Sequence, residues 1–420
     1  MRALPAAAAP AAAILPDGMP PGIDGRLRYP LGDCAMSADQ AEAHVQDTFM
    51  HGPLEAEAGA VLTIDLAAIA ANWRKLRQIA NPADCAAVIK GDGYGCGLEP
   101  VAAQLHRAGC TTFFVADLSE ARRARAVVPE AVIYVLNGLP PGAGETFAEH
   151  QLQPVIGSVA ELAEWDAFCA TSGWRGGFAL HVDTGMNRLG ISVGEAASIA
   201  ARLASDNHGM SLLMSHLVDA ENPDSARNNE QLLAFREVRR LFRGVPASLA
   251  NSSGIFLGRS AVCDLVRPGV ALYGLNPTPG YVNPMDRVVT LRARILLVRD
   301  IETGQTVGYN ATWTARRPSR IAIIGVGYAD GYLRAASADD NKPGGVATVG
   351  GLRCPIVGRV SMDLMAIDVT EVPKAGTRRG DPVTLIGDGL ELEEVAEHAG
   401  TIGYEILTRL GHRYARVYRT

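Results

Sequence analysis

Lys90 closes the apolar run Ala86-Ala87-Val88-Ile89. An amine there would be partly desolvated and lowered in pKa, which makes it nucleophilic. The plainer alternative is a lysine that snorkels from a strand end. Other polar residues end similar apolar runs: Arg188 in HVDTGMNRLG, His216, Asn251 with Ser252, and Arg267 with Gly269. This cationic, hydroxyl-bearing set suits an anion such as a phosphate, held by glycine N–H groups and a serine. Pyridoxal 5'-phosphate fits both demands: the lysine takes its aldehyde, Ser252 and Gly269 its phosphate, and Arg267 faces its pyridine nitrogen. Arginine does not give up a proton, so the ring nitrogen would stay unprotonated and the ring would be a weaker electron sink. Such a site favours a short-lived carbanion. His216 reads equally well as a satisfied core histidine, and without a spaced His/Asp/Glu cluster beside it no metal site is expected.

These residues need a frame that brings strand ends together. Apolar, β-branched runs at 86–90, 112–116, 132–137, 153–158, 177–184, 211–217, 247–252 and 265–274 alternate with amphipathic segments. In one of these, Leu232, Phe235, Val238 and Phe242 recur at helical spacing. Strands apolar along their whole length indicate a parallel sheet covered on both faces. Eight such units in roughly 200 residues are the count of a (β/α)₈ barrel, whose chemistry gathers at the strand C-termini. An open doubly wound sheet is the alternative, but no G-x-G-x-x-G follows the first strand. After about residue 285 the texture alternates polar and apolar residues, as in LRARILLV (291–298), with Gly-rich turns and one clear helix at ELEEVAEHAG. That pattern predicts a predominantly antiparallel β domain. The expected division is an extension over 1–58 with a short helix near 37–49, a cofactor-binding barrel over 59–285, and a β domain over 286–420.

Composition sets outer limits. The 420 residues are 48% hydrophobic and 20% charged, ordinary globular values with ample core material. A net charge of −6 argues against a nucleic-acid or acidic-membrane binder. Seven scattered cysteines without a C-x-x-C pair read as free thiols in a reducing compartment. The cytoplasm is therefore expected, with periplasmic export as the alternative because of the alanine-rich start. There are four lysines against thirty-five arginines. Coding bias explains the imbalance, yet Lys90 alone of the four ends an apolar strand.

Nine motifs in order carry a resemblance: AAVIKGDGYGCG, HVDTGMNRLG, MSHLVDAE, ANSSG, VRPGVALYGL, VGYNATW, IGVGYADGY, VGRVSMD and TIGYEIL. Over about 59–420 the chain resembles the alanine racemases, fold-type III pyridoxal-phosphate enzymes. The resemblance implies that Lys90 forms the Schiff base and is one of two catalytic bases. Tyr94, Ser252, Gly269, Val270 and Tyr404 would bind the phosphate, Arg267 the pyridine nitrogen, and His216 would pack against the ring. Tyr309 would be the second base, reaching in from the opposite subunit of a head-to-tail homodimer. Arg188 and the Met362 N–H would meet the substrate carboxylate. Tyr328 would guard an entry channel lined by Arg334, Arg359 and Asp363.

The activity so implied is interconversion of L- and D-alanine, supplying D-alanine for peptidoglycan or degrading it. Racemisation of larger amino acids such as serine, lysine or arginine is the alternative within the chemistry. A decarboxylase on the same plan, or a pyridoxal-phosphate carrier, agrees less well with Arg267 and Tyr309. Three positions depart from the family pattern: His181 replaces a lysine that is often carbamylated, Cys96 a histidine, and Ser361 a cysteine.

Overall fold

The computed structural model describes residues 52–203 and 209–420. The helix expected near 37–49 lies outside them, as does most of the 1–58 extension. The last residues of that extension, 52–58, rest on the β domain, where Arg294 donates to the Glu55 carbonyl at 2.8 Å.

Seven parallel strands pair in chain order: Ala87–Val88, Thr112–Val115, Val132–Val135, Gln153–Ile156, Phe178–Asp183, Met210–Met214 and Ala247–Ser248. The eighth, Leu265–Val266, pairs with Asp84–Cys85 just ahead of the first. Backbone bonds from Ala86 N to Val266 O (3.0 Å) and from Arg267 N to Ala250 O (2.9 Å) join it to both neighbours. The result is the barrel anticipated from the sequence. Its outer helices form where turn chemistry starts them. Asp65 caps Leu66–Ala80, Asp117 caps Leu118–Val127 and Ser158 caps Val159–Ser172, each through its side chain. The helix Ala226–Leu241 buries Phe235 and Val238, two of the four residues whose spacing pointed to it.

Several strands are shorter than their apolar runs. The run 265–274 is strand only at Leu265–Val266, and Val270–Tyr273 is a 3₁₀ turn. Pro268 lacks the N–H that would continue the ladder. The apolar pattern persists because the turn itself is buried, and period alone does not separate the two cases. The run 247–252 likewise passes into the 3₁₀ helix Ser253–Leu257. These shortened ends matter, because each leaves a site residue on a turn at the barrel mouth.

The second sheet orders its strands as Ser319–Ile324, Met365–Asp368, Leu352–Val357, Val346–Val349, Pro382–Ile386, Val289–Ile301, Ala60–Asp65 and Ala415–Arg419. All neighbours are antiparallel except the last two, which run parallel. Ala60–Asp65, expected within the barrel stretch, therefore pairs in the β-domain sheet. Its alternating burial is the signature of a strand with one covered face. The single helix expected in this domain is Leu392–His398, but a second follows at Gly403–Arg409. TIGYEIL did not read as one because Thr401, Ile402, Gly403 and Ile406 are weak helix formers, unlike the Glu, Leu and Ala of ELEEVAEHAG.

Candidate active site

The segment after Lys90 is unusual in its backbone. Gly91, Asp92, Gly93, Tyr94 and Gly95 all have φ between 52° and 77°, a left-handed turn built from three glycines and two non-glycine residues. Two anchors hold it. Glu120 accepts from Asp92 N at 3.0 Å and from Ala116 N at 2.8 Å, and Asp92 accepts from Arg123 at 2.6 Å. Gly95 cannot be replaced cheaply, because a Cβ there would lie 2.0 Å from the Leu407 carbonyl of the helix Gly403–Arg409. The turn thus locks the loop of Lys90 against the helix that carries Tyr404.

A cavity of about 400 Å³ opens at this mouth. It gathers Lys90, Tyr94, Arg188, His216, Ser252, Arg267, Gly269, Val270 and Tyr404, nine of the residues anticipated from the sequence. Burial and the nearby Arg188 charge lower the Lys90 amine below the ordinary lysine range, which favours the free, nucleophilic form. Ser252 Oγ accepts from Gly269 N at 3.0 Å and Ala271 N at 3.2 Å. With both lone pairs engaged, its own hydrogen is left to donate to an anion. Gly269 contributes through its missing side chain, since an added Cβ would stand 2.5 Å from the Tyr94 hydroxyl. Its N–H is committed to Ser252. Tyr94 is in turn steadied by stacking on Tyr273, ring centroids 4.6 Å apart.

Arg267 lies beneath this cradle, 3% exposed. Its guanidinium donates to Ser248 Oγ and the Ser215 carbonyl, both at 2.6 Å, and to His216 Nδ1 at 3.3 Å. It also sits 5.9 Å from the Phe114 ring centre. No carboxylate offsets it among the described residues, and part of its donor fork remains for a ligand. Because arginine only donates, His216 Nδ1 must accept, which puts the ring proton on Nε2. Burial, Arg267 and Arg188 hold His216 well below the usual histidine range. His181 joins the same wall, pushed down to about 4 by burial, Arg267 and Arg188. Both imidazoles are neutral at physiological pH. The donor set therefore suits pyridoxal 5'-phosphate: an amine, an anion cradle and a buried cation, with neutral imidazoles beside them.

Tyr309, Tyr328, Met362, Arg334, Arg359 and Asp363 do not line this cavity. They belong to the β domain, where Tyr309 and Arg359 border a separate cavity of about 380 Å³. Tyr309 is 69% exposed and Met362 53%. Tyr328 N donates to the Ser361 carbonyl at 3.0 Å, and Asp363 accepts from Arg413 at 2.7 Å. One chain thus presents two clusters, each with a candidate base.

Residues 64–277 match the family profile for the alanine racemase N-terminal domain, and residues 288–418 that for the C-terminal domain. The chain belongs to the alanine racemase family.

Among its relatives, the alanine racemase of Methylobacterium sp. (strain 4-46) is 56% identical over 360 residues, covering 86% of this chain and 98% of the relative. A catabolic alanine racemase of Mesorhizobium japonicum is 46% identical over 87% of this chain and 94% of the relative. The crystal structure of alanine racemase from Bartonella henselae with covalently bound pyridoxal phosphate superposes with a TM-score of 0.82. It is 40% identical, covering 86% of this chain and 99% of that one.

Family membership directs attention to residues that the sequence left without a role. Glu221, the last residue of MSHLVDAE, lines the cavity and accepts from the Tyr404 hydroxyl. Tyr273 donates from its hydroxyl to the Val88 carbonyl at 3.1 Å and so fixes the strand leading to Lys90. Glu120, pinning the left-handed turn, acts at one remove from the cavity. The motifs contained Glu221 and Tyr273 but not Glu120, and a linear pattern does not show which side chains meet.

Proposed function

We propose that the protein interconverts L- and D-alanine with pyridoxal 5'-phosphate, using Lys90 of one subunit and Tyr309 of its partner as the two bases. Lys90 would hold the cofactor's aldehyde carbon. The Ser252 hydroxyl, Val270 N–H, Tyr94 and Tyr404 would meet its phosphate, and the spare donors of Arg267 its pyridine nitrogen. When bound, the cofactor delocalises the electrons left on the α-carbon and so acidifies the α-proton.

The chain's own residues do the rest. Arg188, exposed at the cavity rim, and the Met362 N–H bind the substrate carboxylate and fix which bond is presented. Lys90, its amine lowered by burial, removes or returns the α-proton on one face. Tyr309 does the same on the other. A hydrogen bond to the phenol oxygen helps it take up the proton, and the Nε2–H of His216 offers one. Neutral His216 is kept in this role by Arg267, which occupies Nδ1.

The observation that carries this reading is the amine of Lys90 sharing one cavity with the Ser252–Gly269 cradle and a buried arginine. The exposure of Tyr309 and Met362 on a second surface supports a homodimer in which each subunit completes the other's site. The scattered buried thiols of Cys85, Cys96, Cys110 and Cys354 support a reducing, cytoplasmic setting.

The test is chiral chromatography of purified protein supplied with L-alanine, D-alanine and a panel of other L-amino acids. Alanine should racemise in both directions, and the Lys90→Ala protein should carry no borohydride-reducible adduct. Product from a larger amino acid in preference to alanine would replace this reading with a broad-range racemase.

A further inference from the structure

Tyr404 comes from the β-domain helix Gly403–Arg409, whereas Glu221 lies on the barrel loop that follows Met210–Met214. The Tyr404 hydroxyl donates to the Glu221 carboxylate, and both residues line the cavity of Lys90. The other charged side chains of that lining are Lys90, Arg188 and Arg267, so among the described residues Glu221 is its one carboxylate. No cation among the described residues pairs with it. A carboxylate in this place repels a bound phosphate and also occupies the hydroxyl that would serve it.

A tyrosine hydroxyl has one hydrogen to donate, and a phosphate dianion offers acceptors only. Tyr404 can direct that hydrogen to Glu221 or to a phosphate, not to both. Burial and the neighbouring carboxylate raise the Tyr404 pKa, so the phenol cannot resolve the conflict by ionising. We propose that Glu221 is a positioning residue that competes with the cofactor phosphate for the hydroxyl of Tyr404, and so sets how tightly pyridoxal 5'-phosphate is held. The inference rests on the cofactor reading above. It assigns the contact between the two domains a function: the cofactor binds against an internal acceptor rather than into an idle pocket.

Equilibrium binding of the full-length protein tests the idea. Wild type, Glu221→Gln and Glu221→Ala are dialysed against graded concentrations of pyridoxal 5'-phosphate, and the bound fraction is read from the absorbance of the lysine-linked cofactor. Both variants should bind roughly tenfold more tightly, the scale of one charge-assisted hydrogen bond. In a Tyr404→Phe background, Glu221→Gln should improve binding by less than about twofold, because the contested hydroxyl is gone. Unchanged or weaker binding in both Glu221 variants overturns the proposal. A full gain that persists with Tyr404→Phe overturns it too, since simple charge repulsion would then account for the effect. If wild type forms no borohydride-reducible adduct at Lys90, the cofactor reading itself fails, an outcome distinct from a normal adduct with an insensitive Glu221.

Discussion

At the scale of single residues, the site works by keeping cations and imidazoles in poorly solvated places. His181 is the cleanest case. Its pKa falls from the ordinary value near 6.5 to about 4 when folded, chiefly through burial and then through Arg267 and Arg188. Between those two values an unfolded chain binds a proton that the folded chain refuses. Stability contributed by neutral His181 is therefore complete above about pH 6.5 and is lost as pH falls through 4. Denaturant titrations of cofactor-stripped protein should show it. Wild type should lose on the order of 3 kcal/mol more than His181→Gln between pH 7 and pH 4. Parallel pH curves for the two proteins would assign the acid sensitivity elsewhere. Neutral His181 thus offers Arg188 no anionic partner from its own position.

At the scale of elements, the left-handed turn after Lys90 joins barrel chemistry to the β domain. Gly95→Ala would force a Cβ into the backbone of the Tyr404 helix, where no rotamer change relieves it. Gly173 offers a matched control, with φ +72° and nothing within 4 Å of an added Cβ. Gly173→Ala should cost about 1 kcal/mol from its backbone conformation alone. Gly95→Ala should cost about 2–4 kcal/mol, and cofactor affinity should fall with it. Thermal melts and cofactor titration on both variants measure the difference. Equal, small losses would mean that the turn and the Tyr404 helix give way together.

At the scale of the whole molecule, each chain carries one candidate base, Lys90, in a barrel cavity and the other, Tyr309, on an exposed β-domain face. If two chains complete each other's sites, mixing inactive Lys90→Ala and Tyr309→Phe proteins should restore activity. In a random hybrid, one of the two sites is intact, so recovery should approach about a quarter of wild-type activity, because roughly half of the dimers are hybrids. Size-exclusion chromatography with light scattering supplies the control for subunit exchange. Exchange without recovery would place both bases in one chain.

The sequence by itself determined the barrel, the β domain and the identity of the cavity's cationic residues. Fully apolar strands and alternating strands carry different periods, and Lys90, Arg267 and Ser252 sit at the ends of such runs. Motif order added Tyr309 and Met362. Three things were decided only by tertiary structure. Ala60–Asp65 joins the second sheet, because strand pairing depends on which edge is open and not on proximity in the chain. The Gly403–Arg409 helix forms because the Lys90 turn and buried Ile406 and Leu407 support it, where seven residues would not be stable alone. Glu221 meets Tyr404 across 183 residues of chain, a juxtaposition that neither spacing nor propensity encodes. Local chemistry is written in residue types and periods; contacts between distant segments arise only when the packed core brings them together.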